Sequence, residues 1–348
     1  MVDFHKGFEG FDKLSSEKKK AKEEGLILSK ESEAGKEKDI KLESSPRKAE
    51  AFYEDILKFV KQVLDKVASG RENELRGEEI HSWIVKKCDY FLEFIKPDDV
   101  MNIVFGHDEY EKSYIYNHSV NVCIIATHIA YKLDYSRENL ENLALASLFH
   151  DIGMMKIPEH IWNKGGKLNS SEVAEVRKHP AYGEEIFRKL TGIDEVVSLV
   201  IGQHQERSDG TGYPNHLKGS DIHYMARLVS LVLRYEALTH TRRWRVRFSP
   251  DKAIQEILDN EGDSYDPEFM KALLRYVSIF PVGSWVKIST GEIGTVIKVN
   301  ENTPMRPVIN IVFNREKKRF REPHILDLSK QLLIYVEHCI DPEEVKIL

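Results

Sequence analysis

Only three cysteines occur among 348 residues, Cys88, Cys123 and Cys339, far apart and without a Cys-x-x-Cys pair. That scarcity gives no basis for a disulfide framework or a zinc ribbon and fits a reducing, cytoplasmic setting. Long apolar runs are also missing. No uninterrupted stretch approaches the ~20 residues of a membrane span, and the opening Met1-Val2-Asp3-Phe4-His5-Lys6 lacks a signal core. A soluble chain with no membrane partner is expected. Positive charge is not in excess: 51 Lys and Arg face 57 Asp and Glu, a net charge of -6. DNA and RNA are therefore not expected as partners, while a small phosphate ligand stays open.

What is present is a 41% hydrophobic fraction, enough for a real core, in a chain longer than a usual single domain. Residues 1-48 are rich in Lys, Glu, Ser and Gly, and they read as a disordered charged tail. Residues 49-108 form an N-terminal helical region. Phe52, Ile56, Phe59, Val60, Val63 and Val67 recur at helical spacing, as do Ile80, Trp83, Ile84, Cys88, Phe91, Leu92 and Ile95. The helical pattern continues through residues 109-281. Here Leu140, Leu143, Ser147 and His150 share one predicted face, and Asn169 with Glu172 forms an N-cap pair opening a helix that Pro180 limits. Beyond Pro281 the period becomes two, at Val286, Ile288, Ile293, Thr295, Ile297, Val299, Ile309, Ile311 and Phe313. Residues 282-348 thus read as a small antiparallel β module, and the whole as mainly α.

The chemistry concentrates in the helical region. His150 and Asp151 are adjacent, and His118, His179 and His204 each fall on an apolar helix face or a helix end. One inward histidine is ordinarily a hydrogen-bonded core residue. Four of them beside a carboxylate would need several independent partners, because buried ionisable groups left alone are costly. A common metal centre explains them jointly. An adjacent imidazole and carboxylate can hold one metal through nitrogen and bridge to a second through oxygen, the arrangement used for phosphate ester hydrolysis. Shortly after His204 comes Asp209-Gly210-Thr211-Gly212-Tyr213-Pro214, a loop of turn-forming residues read as a substrate-facing wall. Further on, Arg242, Arg243 and Arg245 flank Trp244, a combination suited to a phosphate and a flat base.

At these residues the chain resembles the HD-GYP family, HD-domain metal phosphohydrolases associated with cleavage of cyclic di-GMP. The resemblance runs from about Tyr114 to Pro267. It rests on His150-Asp151-Ile152-Gly153, Ile157-Pro158, Lys164-Gly165-Gly166-Lys167-Leu168, His179-Pro180-Ala181-Tyr182-Gly183 and the Asp209-to-Pro214 loop. It implies an HD-type helical bundle over 109-281 and a two- or three-metal centre, commonly of iron or manganese. Carried over by position, it makes His118, His150, Asp151, His179 and His204 metal ligands, with Asp151 at the centre of catalysis. Tyr213, Arg242 and Arg245 become contacts to cyclic di-GMP, and diguanylate cyclase domains become candidate partners through the Gly-Tyr-Pro loop.

Three positions depart from the family pattern. Gln205 stands where a second histidine usually follows, Leu233 where a metal-binding aspartate is usual, and Met154 where a lysine is usual. An amide is a poor ligand for a transition metal, and leucine is none. The preferred expectation is a degenerate member that binds the nucleotide or protein partners with weak or no phosphodiesterase activity. The alternatives are an active cyclic di-GMP phosphodiesterase and a one-metal hydrolase of another nucleotide.

Overall fold

A computed structural model describes residues 45–94, 104, 114–241, 247–277, 279–300 and 303–345. The expected tail lies outside these residues except for its last four, which open a helix. That helix, α1 (Ser45–Ala68), pairs with α2 (Gly77–Phe94). Their apolar stripes are buried as the spacing predicts, with Ile56, Val60, Val63, Ile80, Ile84 and Cys88 all inside. Phe59 stacks on Trp83 at 3.9 Å between ring centres. The Tyr53 hydroxyl donates to Asn121 Oδ1 at 3.0 Å, fastening α1 onto the bundle.

The bundle is built around α3 (Tyr114–Lys132), which is buried on nearly every face, as a central helix must be. Packed on it is α4 (Arg137–Leu148), whose N-cap Ser136 accepts from Asn139 N. This helix stops at Leu148, short of His150, so His150 and Asp151 stand in the turn that follows and not on the expected helix. A 3₁₀ segment, Ile152–Lys156, and the short α5 (Glu159–Trp162) come next.

The predicted N-cap pair is a full capping box opening α6 (Ser170–Val176). Asn169 Oδ1 accepts from Glu172 N at 2.9 Å, and Glu172 Oε2 accepts from Asn169 N at 2.8 Å. Pro180 has the opposite role to the one expected. A turn at Arg177 and Lys178 ends the first helix, and Pro180 lies in the opening turn of α7 (His179–Arg188), where its missing N–H costs nothing. Then come α8 (Glu195–Gln203), α9 (Tyr224–Thr239), α10 (Pro250–Glu261) and α11 (Pro267–Tyr276). No helix among the described residues is long and apolar enough to cross a membrane.

After Phe280 the chain forms a five-stranded antiparallel sheet: β1 (Trp285–Ile288), β2 (Ile293–Lys298), β3 (Val308–Phe313), β4 (Arg319–Asp327) and β5 (Val336–Ile340), in the order β4-β3-β2-β1-β5. Strand β2 pairs with β3 through Thr295↔Asn310 and Val296↔Ile309. The mostly exposed β4 carries no alternating pattern. Its Pro323, which cannot donate to a ladder, is tolerated because β4 is an edge strand. The fold is mainly α with a small antiparallel β module, as expected.

Candidate metal centre

Five side chains from separate elements converge: His118 from α3, His150 and Asp151 from the turn after α4, His179 from the first position of α7, and His204 from the C-cap of α8. The imidazoles are almost completely buried. Asp151 is the most accessible of the five, with 16% of its side chain exposed. Its two oxygens are shared between two histidine pairs. Oδ2 lies 3.3 Å from His150 Nε2 and 3.8 Å from His118 Nε2, whereas Oδ1 lies 3.2 Å from His179 Nε2 and 3.5 Å from His204 Nε2.

The far side of each ring decides what these Nε2 atoms are. The Nδ1 of His150 lies 2.8 Å from Ser147 O, that of His179 lies 2.7 Å from Val176 O, and that of His204 lies 2.6 Å from Ile201 O. His118 turns its Nδ1 to Glu236 Oε2 at 2.6 Å. All four acceptors require a proton on Nδ1, which leaves Nε2 as a lone pair in the neutral ring. Yet His179 Nε2 and His204 Nε2 are 3.0 Å apart, and those of His150 and His118 are 3.3 Å apart. Facing lone pairs at such separations repel unless a cation lies between them. Two nitrogens so spaced, each about 2.1 Å from one ion, would subtend roughly 90–105° there, an ordinary coordination angle. The donor set therefore fits two metal ions, and among the described residues the groups able to hold one are His118–His150–Asp151 and Asp151–His179–His204.

The electrostatics agree with that division. Burial alone would raise the Asp151 pKa, but the imidazoles set against its oxygens, His150 foremost with His179 and His204, hold it well below the usual carboxylate range. Burial pulls His118 down, and the Glu236 charge and hydrogen bond, helped by Asp151, outweigh it, so its pKa is raised. Burial lowers His204 to about 4, with the His150 and His179 charges adding to it and Asp151 opposing.

Glu236 was not picked out among the candidate site residues. It is buried and, besides holding His118, accepts from Asn121 Nδ2 at 3.2 Å through Oε1. The sequence signal for it is only its position one helical turn after Leu233 on α9. Leu233 itself is an apolar core residue. Met154 is half-buried in the 3₁₀ segment. Lys156, two residues on, pairs with Glu72 on the surface, so its ammonium is engaged away from the histidines.

The Asp209-to-Pro214 loop folds back over the residues after His204. Buried Glu206 accepts from the backbone N–H of Asn215 (2.6 Å) and Leu217 (3.1 Å), and Tyr213 N donates to Gln205 O at 3.2 Å. Gly212 is needed for this approach, since a Cβ there would run into the backbone of Gln205, Glu206 and Arg207. The result puts the Tyr213 ring edge-on to His179, 6.2 Å between centres. Burial, and secondarily the Asp151 charge, raise the Tyr213 pKa, so its hydroxyl stays a donor at neutral pH. Arg242 and Arg245 lie outside the described residues.

A family model described as an HD domain matches residues 102–269, and a KOW domain associated with HD domains matches residues 285–348. A cyclic di-GMP phosphodiesterase of Pseudomonas aeruginosa is 32% identical over 217 residues, 62% of this chain and 52% of that protein. The cyclic di-GMP phosphodiesterase PdeB of Borreliella burgdorferi is 24% identical over 58% of this chain and 52% of its own length. In solved structures, the HDG"Y"P protein Bd1817 of Bdellovibrio bacteriovorus superposes with a TM-score of 0.54 at 18% identity, covering 68% of this chain and 73% of that one. The HD-domain match and the similarity to these phosphodiesterases support a place in the HD-GYP family. The HD-domain match implies the use of divalent metal, for which the two histidine pairs and Asp151 are the candidate donors. A 3'3'-cGAMP-specific phosphodiesterase of Vibrio cholerae is also similar, 33% identical over 48% of this chain and 36% of its own length. The matched segments span about a third to a half of these curated relatives.

Proposed function

We propose that this chain binds cyclic di-GMP at a two-metal centre of iron or manganese and hydrolyses it slowly, so that binding outlasts chemistry. The observation that carries this reading is the division of Asp151 between two histidine pairs. Each half has two imidazoles and one carboxylate oxygen, a set that holds a divalent metal and leaves positions open. When bound, such metals supply Lewis acidity toward phosphate oxygens and lower the pKa of water. The protein's own contribution is positional. Asp151 ties the two halves to one spacing, and the Nδ1 hydrogen bonds lock every imidazole with Nε2 inward. Tyr213 offers a protonated hydroxyl and a ring face to the substrate. Arg242 and Arg245 belong to the same proposed contact set, and Asp151 to the catalytic one.

Slow turnover follows from Met154. A cation placed against the phosphate would stabilise charge developing in the transition state, and neither Met154 nor the engaged Lys156 supplies one. Gln205 and Leu233 remove two further ligand positions, leaving each half with a minimal set. A second reading, a fully active cyclic di-GMP phosphodiesterase, is favoured by the retention of Asp151 and of two histidines in each half. Single-turnover and steady-state assays with cyclic di-GMP, on anaerobic protein loaded with iron or manganese, separate the two. Tight binding with product forming far more slowly than ligand associates supports the proposal. Rapid conversion supports the second reading, and absence of binding refutes both.

A further inference from the structure

Basic side chains around the centre are mostly engaged by acids. Lys156 pairs with Glu72, Lys178 with Glu175, Lys164 with Glu172, and Arg207 with Glu261 and the Tyr265 hydroxyl. Arg177 is not so engaged. It caps α6 two residues before His179, is exposed, and has no carboxylate partner among the described residues. Its guanidinium carbon lies over the Tyr213 ring, 5.2 Å from the centre, and that same ring is edge-on to His179. A cation thus stands on the aromatic wall of the metal centre with its charge unneutralised.

The chemistry of that placement is specific. A guanidinium lying over an aromatic face is held by cation–π attraction and sheds little hydration, while its in-plane N–H fork stays available to a planar or tetrahedral oxyanion. Bidentate contact with a phosphodiester is the usual use of such a fork. A cyclic dinucleotide carries two phosphodiesters in one ring, so when one is held among the five donors the other must lie close by. We propose that Arg177 grips this second, uncleaved phosphodiester, with Tyr213 holding the guanidinium in place. The proposal rests on the reading of the centre as a cyclic-dinucleotide site, and it makes Arg177 a determinant of selectivity for two-phosphate rings over single cyclic nucleotides.

The test uses the metal-loaded full chain and the variants Arg177→Gln and Arg177→Lys. Each is titrated calorimetrically with cyclic di-GMP and with 3',5'-cyclic GMP, which has a single phosphodiester, and the metal content of each is measured. Arg177→Gln is expected to weaken cyclic di-GMP binding by roughly ten- to a hundredfold, the range for losing a hydrogen bond to a charged group. The preference over cyclic GMP should fall by the same factor with metal content unchanged. Arg177→Lys should recover part of the loss, because it keeps the charge without the fork. Unchanged cyclic di-GMP affinity in Arg177→Gln, an unchanged preference over cyclic GMP, or loss of metal would overturn the proposal. Wild-type protein that holds metal but binds no cyclic di-GMP would instead overturn the functional reading beneath it.

Discussion

The two halves of the centre have the same donors but different support. Behind His118 stands a buried carboxylate, Glu236, whereas behind His179 and His204 stand neutral backbone carbonyls of Val176 and Ile201. The difference shows in the rings themselves. His118 is made more basic, and His204 is pushed down to about 4. Identical ligand types therefore need not bind metal alike. A carboxylate behind an imidazole strengthens it as a donor and also as a base that protons can claim.

The largest expected effect removes the group that both halves share. Asp151→Asn should abolish stable metal binding in both, with content by elemental analysis falling from two per chain toward none and turnover lost. Retention of two metals would mean that Asp151 does not bridge. Glu236→Gln should act on one half alone, lowering metal affinity there by about ten- to a hundredfold. A titration with manganese would then show one strong and one weak site, while equal weakening of both would dissolve the distinction between the halves.

Adding back the missing ligands sharpens the comparison. Leu233 is an apolar core residue one turn from Glu236 on α9. Leu233→Asp combined with Gln205→His should raise metal occupancy. Without metal, the variant should be less stable than wild type by a few kcal/mol, because an unpaired carboxylate is then buried. With metal the order of thermal stability should reverse, and no gain in occupancy would show that these positions do not face the centre.

The smallest effect is one of pH, and its sign differs between the halves in metal-free protein. His204 has a folded pKa of about 4 against an unfolded value near 6.5, so the unfolded chain binds more protons between them. Stability from this site falls as pH drops through that window, by up to ~3 kcal/mol. His118 has a folded pKa raised above its unfolded value, so its contribution is complete below about 6.5 and is lost as pH rises through the folded pKa. Melting curves of chelator-treated protein should lose the acid-side decline in His204→Gln and the alkaline-side decline in Glu236→Gln. The same slopes in both variants would contradict the assignment.

How much of this was legible in the sequence differs by element. The apolar stripes of α1 and α2 and the Asn169–Glu172 box are local patterns, and each appears where the spacing puts it. The five donors were legible because four inward histidines are hard to satisfy separately. His150 was misplaced onto a helix because its spacing continues that of Leu140, Leu143 and Ser147, and periodicity does not mark where a helix stops. Pro180 misled because proline both ends and starts helices, and only the turn at Arg177 and Lys178 decides between them. Strand β4 went unseen because an exposed edge strand has no buried face to impose alternation. Arg177 was hidden for a different reason, since its partner Tyr213 is distant in sequence and meets it only in the folded chain.

The central claim is that Asp151 joins two histidine pairs into two metal sites. It is tested most directly by the metal-to-protein ratio of anaerobically prepared chain loaded with iron or manganese and freed of loosely bound ions. The account predicts two metals per chain in the wild type and one in Glu236→Gln. A wild-type ratio of one or none would contradict it.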